Sequence, residues 1–127
     1  MSDLRPMPKP PKRRRMPEFL AWLHSSGRPC VFSPGVAYEG KRGGRVFSVC
    51  SGPLEANHLG ARGLGQKSHD DESAIFCRLH HRDWTDLCGP FSPSLMSREE
   101  RRAWADERIT ETQAAYHAFV EAAEVVA

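Results

Sequence analysis

An α+β fold follows from three features of the 127-residue sequence. Short pieces rich in Val, Phe and Tyr cluster between residues 30 and 59, where β-branched and aromatic side chains suit a half-buried pleated surface. Stretches on either side carry apolar residues at helical spacing. Ten Pro and ten Gly interrupt the chain too often for a bundle of long helices. With 39% hydrophobic and 27% charged residues, the composition suits one compact domain with a modest core.

The elements can be justified in order. "MSDLRPMPKPPKRRR" has four prolines among polar residues and little to bury, so residues 1–15 read as an extended basic arm. "MPEFLAWLHSS" reads as a short helix: Pro17 suits the first turn, Glu18 suits the positive end of the helix dipole, and Phe19, Leu20 and Leu23 make an apolar face. Gly27 and Pro29 end it. "CVF", "VAYEG", "RVFSVC" and "LEANHL" are strand candidates, with "GKRGG" joining two of them as a hairpin. "GARGLGQKSHDDE" is a long irregular loop, and "AIFCRLHHRDWTDL" is a short apolar entry into a helix. "CGPFSPS" breaks that helix. The last segment, 97–127, opens with a capping box, Ser97 with Glu100, and carries Ala105, Ile109, Tyr116, Val120 and Ala123 at helical spacing. The division is therefore arm (1–15), central domain (16–96) and a C-terminal amphipathic helix (97–127) packed on that domain.

The net charge of +2 hides an uneven distribution. Residues 1–15 carry +5, residues 16–96 are neutral and residues 97–127 carry −3. A positive field at one end can meet a polyanion, or can simply solvate a tail. No apolar run approaches the roughly 18 residues of a membrane span, so no membrane partner is expected. The basic N-terminus lacks the apolar core of a secretory signal, which makes a cytoplasmic location the expectation. In that compartment Cys30, Cys50, Cys77 and Cys88 are expected as thiols or metal ligands rather than disulfides.

Cys77 and His80 have Cys-x-x-His spacing, which lets two side chains on one helical turn reach a single ion, and thiolate with imidazole suits Zn²⁺. Cys30 and Cys50, each beside a strand candidate, are available to complete a structural site. Buried thiols without a ligand are the competing reading for Cys30, Cys50 and Cys88. His81 points about 100° away from His80 on a helix and can serve a second site. His58 ends "LEANH", next to Asn57. An amide oxygen and an imidazole nitrogen with waters bind a hard or borderline divalent ion, and a neutral His nearby can take a proton from attacking water.

The segment "LEANHLGARGLGQKSHDDESAIFCRLHHRDWTDLCGPF" resembles phage and prophage HNH-type nucleases related to the recombination-enhancement nuclease. The order of E-A-x-H, a G-x-K-x-x-D loop and L-C-x-x-H-H carries the likeness. The lead-in "RRRMPEFLAWLHSSGRPC" extends it to roughly residues 11–92. The resemblance implies a small ββα-metal (HNH-like) domain that hydrolyses DNA phosphodiester bonds with little sequence preference. His58 matches the general base. Asn57 and His81 match ligands of a catalytic divalent metal (Mg²⁺, Mn²⁺ or Zn²⁺), and Cys77 with His80 matches the structural-zinc half. Lys67 and the loop carboxylates Asp70 and Asp71 match the loop. Lys12, Arg13, Arg14 and Arg15 of the arm, with Lys67, would contact phosphates. Asn57 stands where Asp or His is more usual, and Thr85 where many relatives carry a third His. Those departures keep two alternatives: a degenerate HNH fold that binds nucleic acid without cutting, and a zinc-stapled interaction module.

Overall fold

A computed structural model of the chain describes residues 14–33, 35–39, 44–61 and 68–126. Helix α1 (Pro17–Ser25) is followed by strands β1 (Gly35–Glu39), β2 (Arg45–Val49), β3 (Leu54–His58) and β4 (Ser73–Cys77). Helix α2 (Arg78–Asp86), a 3₁₀ turn at Gly89–Phe91 and helix α3 (Arg98–Val126) complete the order. The architecture is α+β, with two small antiparallel sheets, β1–β2 and β3–β4.

Local chemistry explains most boundaries. Pro17 and Glu18 open α1, which buries Phe19 and Leu23. In the hairpin Tyr38 faces Val46 and Glu39 faces Arg45; its connecting residues, 40–43, lie outside the described residues. "CVF" is not the expected strand. Residues 31–33 form a turn in which Ser33 N–H donates to the Cys30 carbonyl at 2.8 Å. Its one ladder-like bond is Val31 N–H to the Ile75 carbonyl at 3.0 Å. Prolines at 29 and 34 bracket the segment in sequence and remove two of the N–H donors that a paired strand would use.

Strand β4 is buried throughout, which requires cover on both faces. Phe76 and Ala74 join Leu59, Phe91, Ala105 and Ile109, with Trp84, Trp104 and Phe32 packed around them. Ile75 turns the other way, onto Phe19 and Leu23 of α1. The aromatic rings interlock: Phe32 stacks on Trp104 at 5.2 Å, and Phe91 meets Trp84 edge-on at 5.1 Å.

The capping box forms as expected. Ser97 Oγ accepts from Glu100 N–H, and Glu100 Oε1 accepts from Ser97 N–H, both at 3.1 Å. Along α3 Ala105 and Ile109 are buried, Tyr116 and Val120 are half-buried, and Ala123 is exposed. Tyr116 packs edge-on against Phe19 at 5.0 Å and Trp22 at 5.3 Å. The helix therefore braces both sides of β4 before its last turns run past the core.

Phe76 has 0% exposure and touches rings from four segments, so its removal leaves a cavity that its neighbours cannot fill together. Phe76→Ala is expected to cost about 3–5 kcal/mol of folding stability. Urea denaturation followed by far-ultraviolet circular dichroism checks this; a loss under about 1 kcal/mol would mean the cluster is not the core.

Candidate functional site

The β4–α2 junction builds the first site. Cys77 ends the strand and caps the helix, its sulfur accepting from His80 N–H at 3.4 Å. One helical turn brings His80 back beside it, with Nδ1 3.2 Å from Cys77 Sγ. The turn after α1 delivers Cys30, and the residue after β2 delivers Cys50, each sulfur 3.7 Å from the same Nδ1. All four ligand atoms lie within 4.8 Å of one another, a group able to hold a metal ion. A tetrahedral ion bonded to sulfur at about 2.3 Å and to nitrogen at about 2.0–2.1 Å would space those atoms roughly 3.5 Å apart. The distances fit. On the far side of the ring, Nε2 lies 2.8 Å from Ser48 Oγ. With its proton on Nε2, the ring donates to Ser48 and turns the Nδ1 lone pair toward the sulfurs.

Electrostatics of the group without an ion favour neutral ligands. Burial raises the Cys30 thiol above its ordinary value of 9.0. Cys50 is pushed up to about 12, by burial first and then by the Cys30 and Cys77 thiols beside it. Burial also lowers His80 from 6.5, against an opposing pull from Asp83. An incoming cation would reverse this logic, because its charge favours the thiolates. Cys88 stays outside the group: it is exposed, and its thiol donates to Asp83 Oδ1 at 3.2 Å.

The two faces of β3 separate the remaining sequence-derived candidates. Ala56 looks toward α1, and His58 lies on the same side. His58 Nε2 is 3.1 Å from Asp70 Oδ1. Asp70 is buried, and its other oxygen accepts Met16 N–H at 2.7 Å. Glu55 and Asn57 occupy the face toward α2. There His81 Nδ1 lies 3.2 Å from Glu55 Oε1, and Glu55 also meets Arg78 at 3.3 Å. Asn57 is 4% exposed, and its Nδ2 has no hydrogen-bond partner among the described residues. Among the described residues the Cys30–Cys50–Cys77–His80 set is the one group of three or more His, Cys, Asp or Glu close enough to share an ion.

Of the basic residues expected to meet phosphate, Lys12, Arg13 and Lys67 lie outside the described residues. Arg14 is engaged within the fold. Its guanidinium holds both Asp71 oxygens at 2.9 and 3.1 Å, and its N–H donates to His69 Nδ1 at 2.6 Å. Arg15 is exposed. Sequence reasoning did not single out Glu55 as a partner of His81, nor Asp70 as the partner of His58. Alternation along "LEANH" held the first signal, since it sets Glu55 on Asn57's side. Comparison with family models, curated proteins and solved structures found no match. No helix among the described residues is long and apolar enough to cross a membrane.

Two raised thiols imply proton release when an ion enters, so apparent affinity should rise with pH. Cobalt titration at pH 6 and pH 8 should show tighter uptake at pH 8, with tetrahedral thiolate absorption bands. Ser48→Ala should weaken uptake about 10- to 100-fold by releasing the far ring nitrogen of His80. Absence of uptake at either pH would mean the four residues only pack together.

Proposed function

We propose that this chain is a small metal-dependent nuclease acting on DNA. In this reading β3, β4 and α2 form a ββα-metal (HNH-like) unit, stapled by Zn²⁺ at Cys30, Cys50, Cys77 and His80. The observation that carries the reading is the pairing of His58, the last residue of β3, with buried Asp70. A carboxylate beside the ring orients it and favours the imidazolium that forms when a His takes a proton as general base. The Met16 N–H on its other oxygen holds the carboxylate in place. The helix bearing His81 follows β4 directly, which supports the same architecture.

A catalytic divalent ion fits the donor set on the other face of β3. His81 and Glu55 offer nitrogen and oxygen 3.2 Å apart, near the roughly 3 Å between adjacent ligands of an octahedral ion with bonds of about 2.1 Å. Asn57 adds an amide on the same face. When bound there, such an ion would supply Lewis-acid stabilisation of charge on the phosphate and the leaving oxygen. His58 would accept the proton of the attacking water, and Asp70 would steady the imidazolium that results. Contacts to phosphates carry no base information, so cleavage should show little sequence preference.

A second reading, binding without cutting, draws on Asn57. Its amide is buried, and β-strand alternation sets it opposite His58, so the expected base and ligand do not share a face. Plasmid cleavage in Mg²⁺, Mn²⁺ or Zn²⁺ decides between the two. The nuclease should nick wild-type substrate, and His58→Ala should slow it about 10²- to 10⁴-fold while DNA binding and tightly bound zinc stay unchanged. A wild-type protein that binds DNA but never cuts would establish the second reading.

A further inference from the structure

A cleft of about 600 Å³ opens between Gly60, Trp84 and the first turns of α3, where Arg98, Arg101 and Arg102 line it. Glu99 is the acidic residue among its walls. The arginines differ in what already neutralises them. Arg102 pairs with Asp106 at 2.9 Å and donates to the Leu59 carbonyl. Arg101 donates to the Met96 carbonyl at 2.6 Å and meets no carboxylate among the described residues. Arg98 is exposed and has neither a hydrogen bond nor an ion pair among them. The cleft therefore holds two guanidinium groups that make no ion pair among the described residues.

Helix stability does not explain them. The start of a helix carries partial positive charge, so Glu99 and Glu100 suit that turn and arginines oppose it. An anion in the cleft would remove the conflict, and the planar guanidinium fork matches two phosphate oxygens at once. Trp84 adds a flat wall. It packs on Phe91 and Trp104 yet stays half-exposed to the cleft, a surface on which a sugar or base can lie. Position matters as well. Gly60 stands two residues beyond His58, and Trp84 one helical turn beyond His81. Gly60 must stay small, since a Cβ there would meet Ser68 Cβ at 2.5 Å and Glu72 Oε1 at 2.7 Å.

We propose that this cleft is a phosphate-binding groove for a nucleic-acid strand, with Arg98 and Arg101 as the contacting cations. The inference rests on the nucleic-acid reading above and places the backbone contact on α3 rather than on the N-terminal arm. It guides a strand along Trp84 toward the end of β3. Its chemistry is shared by DNA and RNA, so the probes must separate them.

The test uses the full chain loaded with zinc, and fluorescence anisotropy across a salt series. The probes are a DNA duplex, a DNA single strand and an RNA duplex of one sequence. Arg98→Gln should flatten the slope of log K against log salt by about 0.9 on duplex DNA and about 0.7 on the single strand. Arg98→Gln with Arg101→Gln should about double the change. Arg45→Gln, an exposed site on β2 away from the cleft, should leave the slope as it is. Arg98→Gln removes no side-chain bond among the described residues, so its thermal midpoint should match wild type, which separates the result from misfolding. Flattened slopes with no cleavage would support the groove while removing the nuclease. Wild-type binding and cutting with unchanged slopes in both variants would overturn the groove and leave the nuclease standing. No binding of any probe by wild type would overturn both. Flattening on the RNA duplex alone would support the groove and assign it to RNA.

Discussion

The convergence of three thiols on one imidazole is the constraint on which the rest of the structure depends. Cys30, Cys50 and the Cys77–His80 pair come from three separate segments of the chain. The β1–β2 hairpin shows this most clearly. Val46, Phe47 and Val49 on β2 are 40–58% exposed, so the hairpin contributes little to the core. An isolated two-stranded hairpin is marginal in water. What ties it down at its second strand is Cys50 beside His80 and Ser48 on that ring's far nitrogen. The same ring packs 4.7 Å from Phe32, which stacks on Trp104 and meets Phe91 edge-on. One buried imidazole thus links hairpin, helix and aromatic core. An ion bound by the four ligands would convert that meeting from a polar contact into part of the folding free energy.

A second network does comparable work at the other end of the β3–β4 ladder. Asp70 receives Met16 N–H and faces His58, while Asp70 N–H donates to the Arg14 carbonyl. Arg14 in turn grips Asp71, and Gln113 of α3 reaches the Asp71 carbonyl at 3.0 Å. The residues before α1, the returning β3–β4 loop and the middle of α3 are therefore fastened together. A His–carboxylate pair inside such a network is held in one orientation. That is useful to a base, and it costs the fold little because the remaining carboxylate oxygen is bonded.

How much of this was legible depends on the range of the interaction. Cys77 and His80 could be read directly, since one helical turn fixes their proximity whatever the fold does. Cys30 and Cys50 could be nominated but not placed, because 20 residues and a hairpin separate them in the chain. Local β-propensity misread "CVF". Val and Phe there serve a turn that aims a sulfur, and strand preference is largely a matter of packing context. Asp70 and His58 meet only when a loop closes between β3 and β4, and no local pattern announces that closure. The cationic cleft was hidden by averaging. The last 31 residues sum to −3, which concealed three arginines gathered in the first two turns of α3.

The position of Asn57 carries the argument one step further. A buried amide hydrogen without a partner costs about 1–3 kcal/mol, a large debit for a core of this size. Alanine or valine at that position would pack beside Ala74 without the penalty. Yet Asn57 lies on the strand face that also carries Glu55 and looks toward His81, itself in polar contact with Glu55. Fold stability alone does not favour a polar trio against a wall that includes Phe76. Local rules are broken in proteins mostly where function asks for it. The proposed reaction supplies such a reason: the carboxylate and imidazole on that face suit a divalent ion, and the unpartnered amide N–H, a donor, would meet an oxygen of a phosphate or water held there. On this argument the stability lost at Asn57 and the chemistry proposed for His81 have one physical origin.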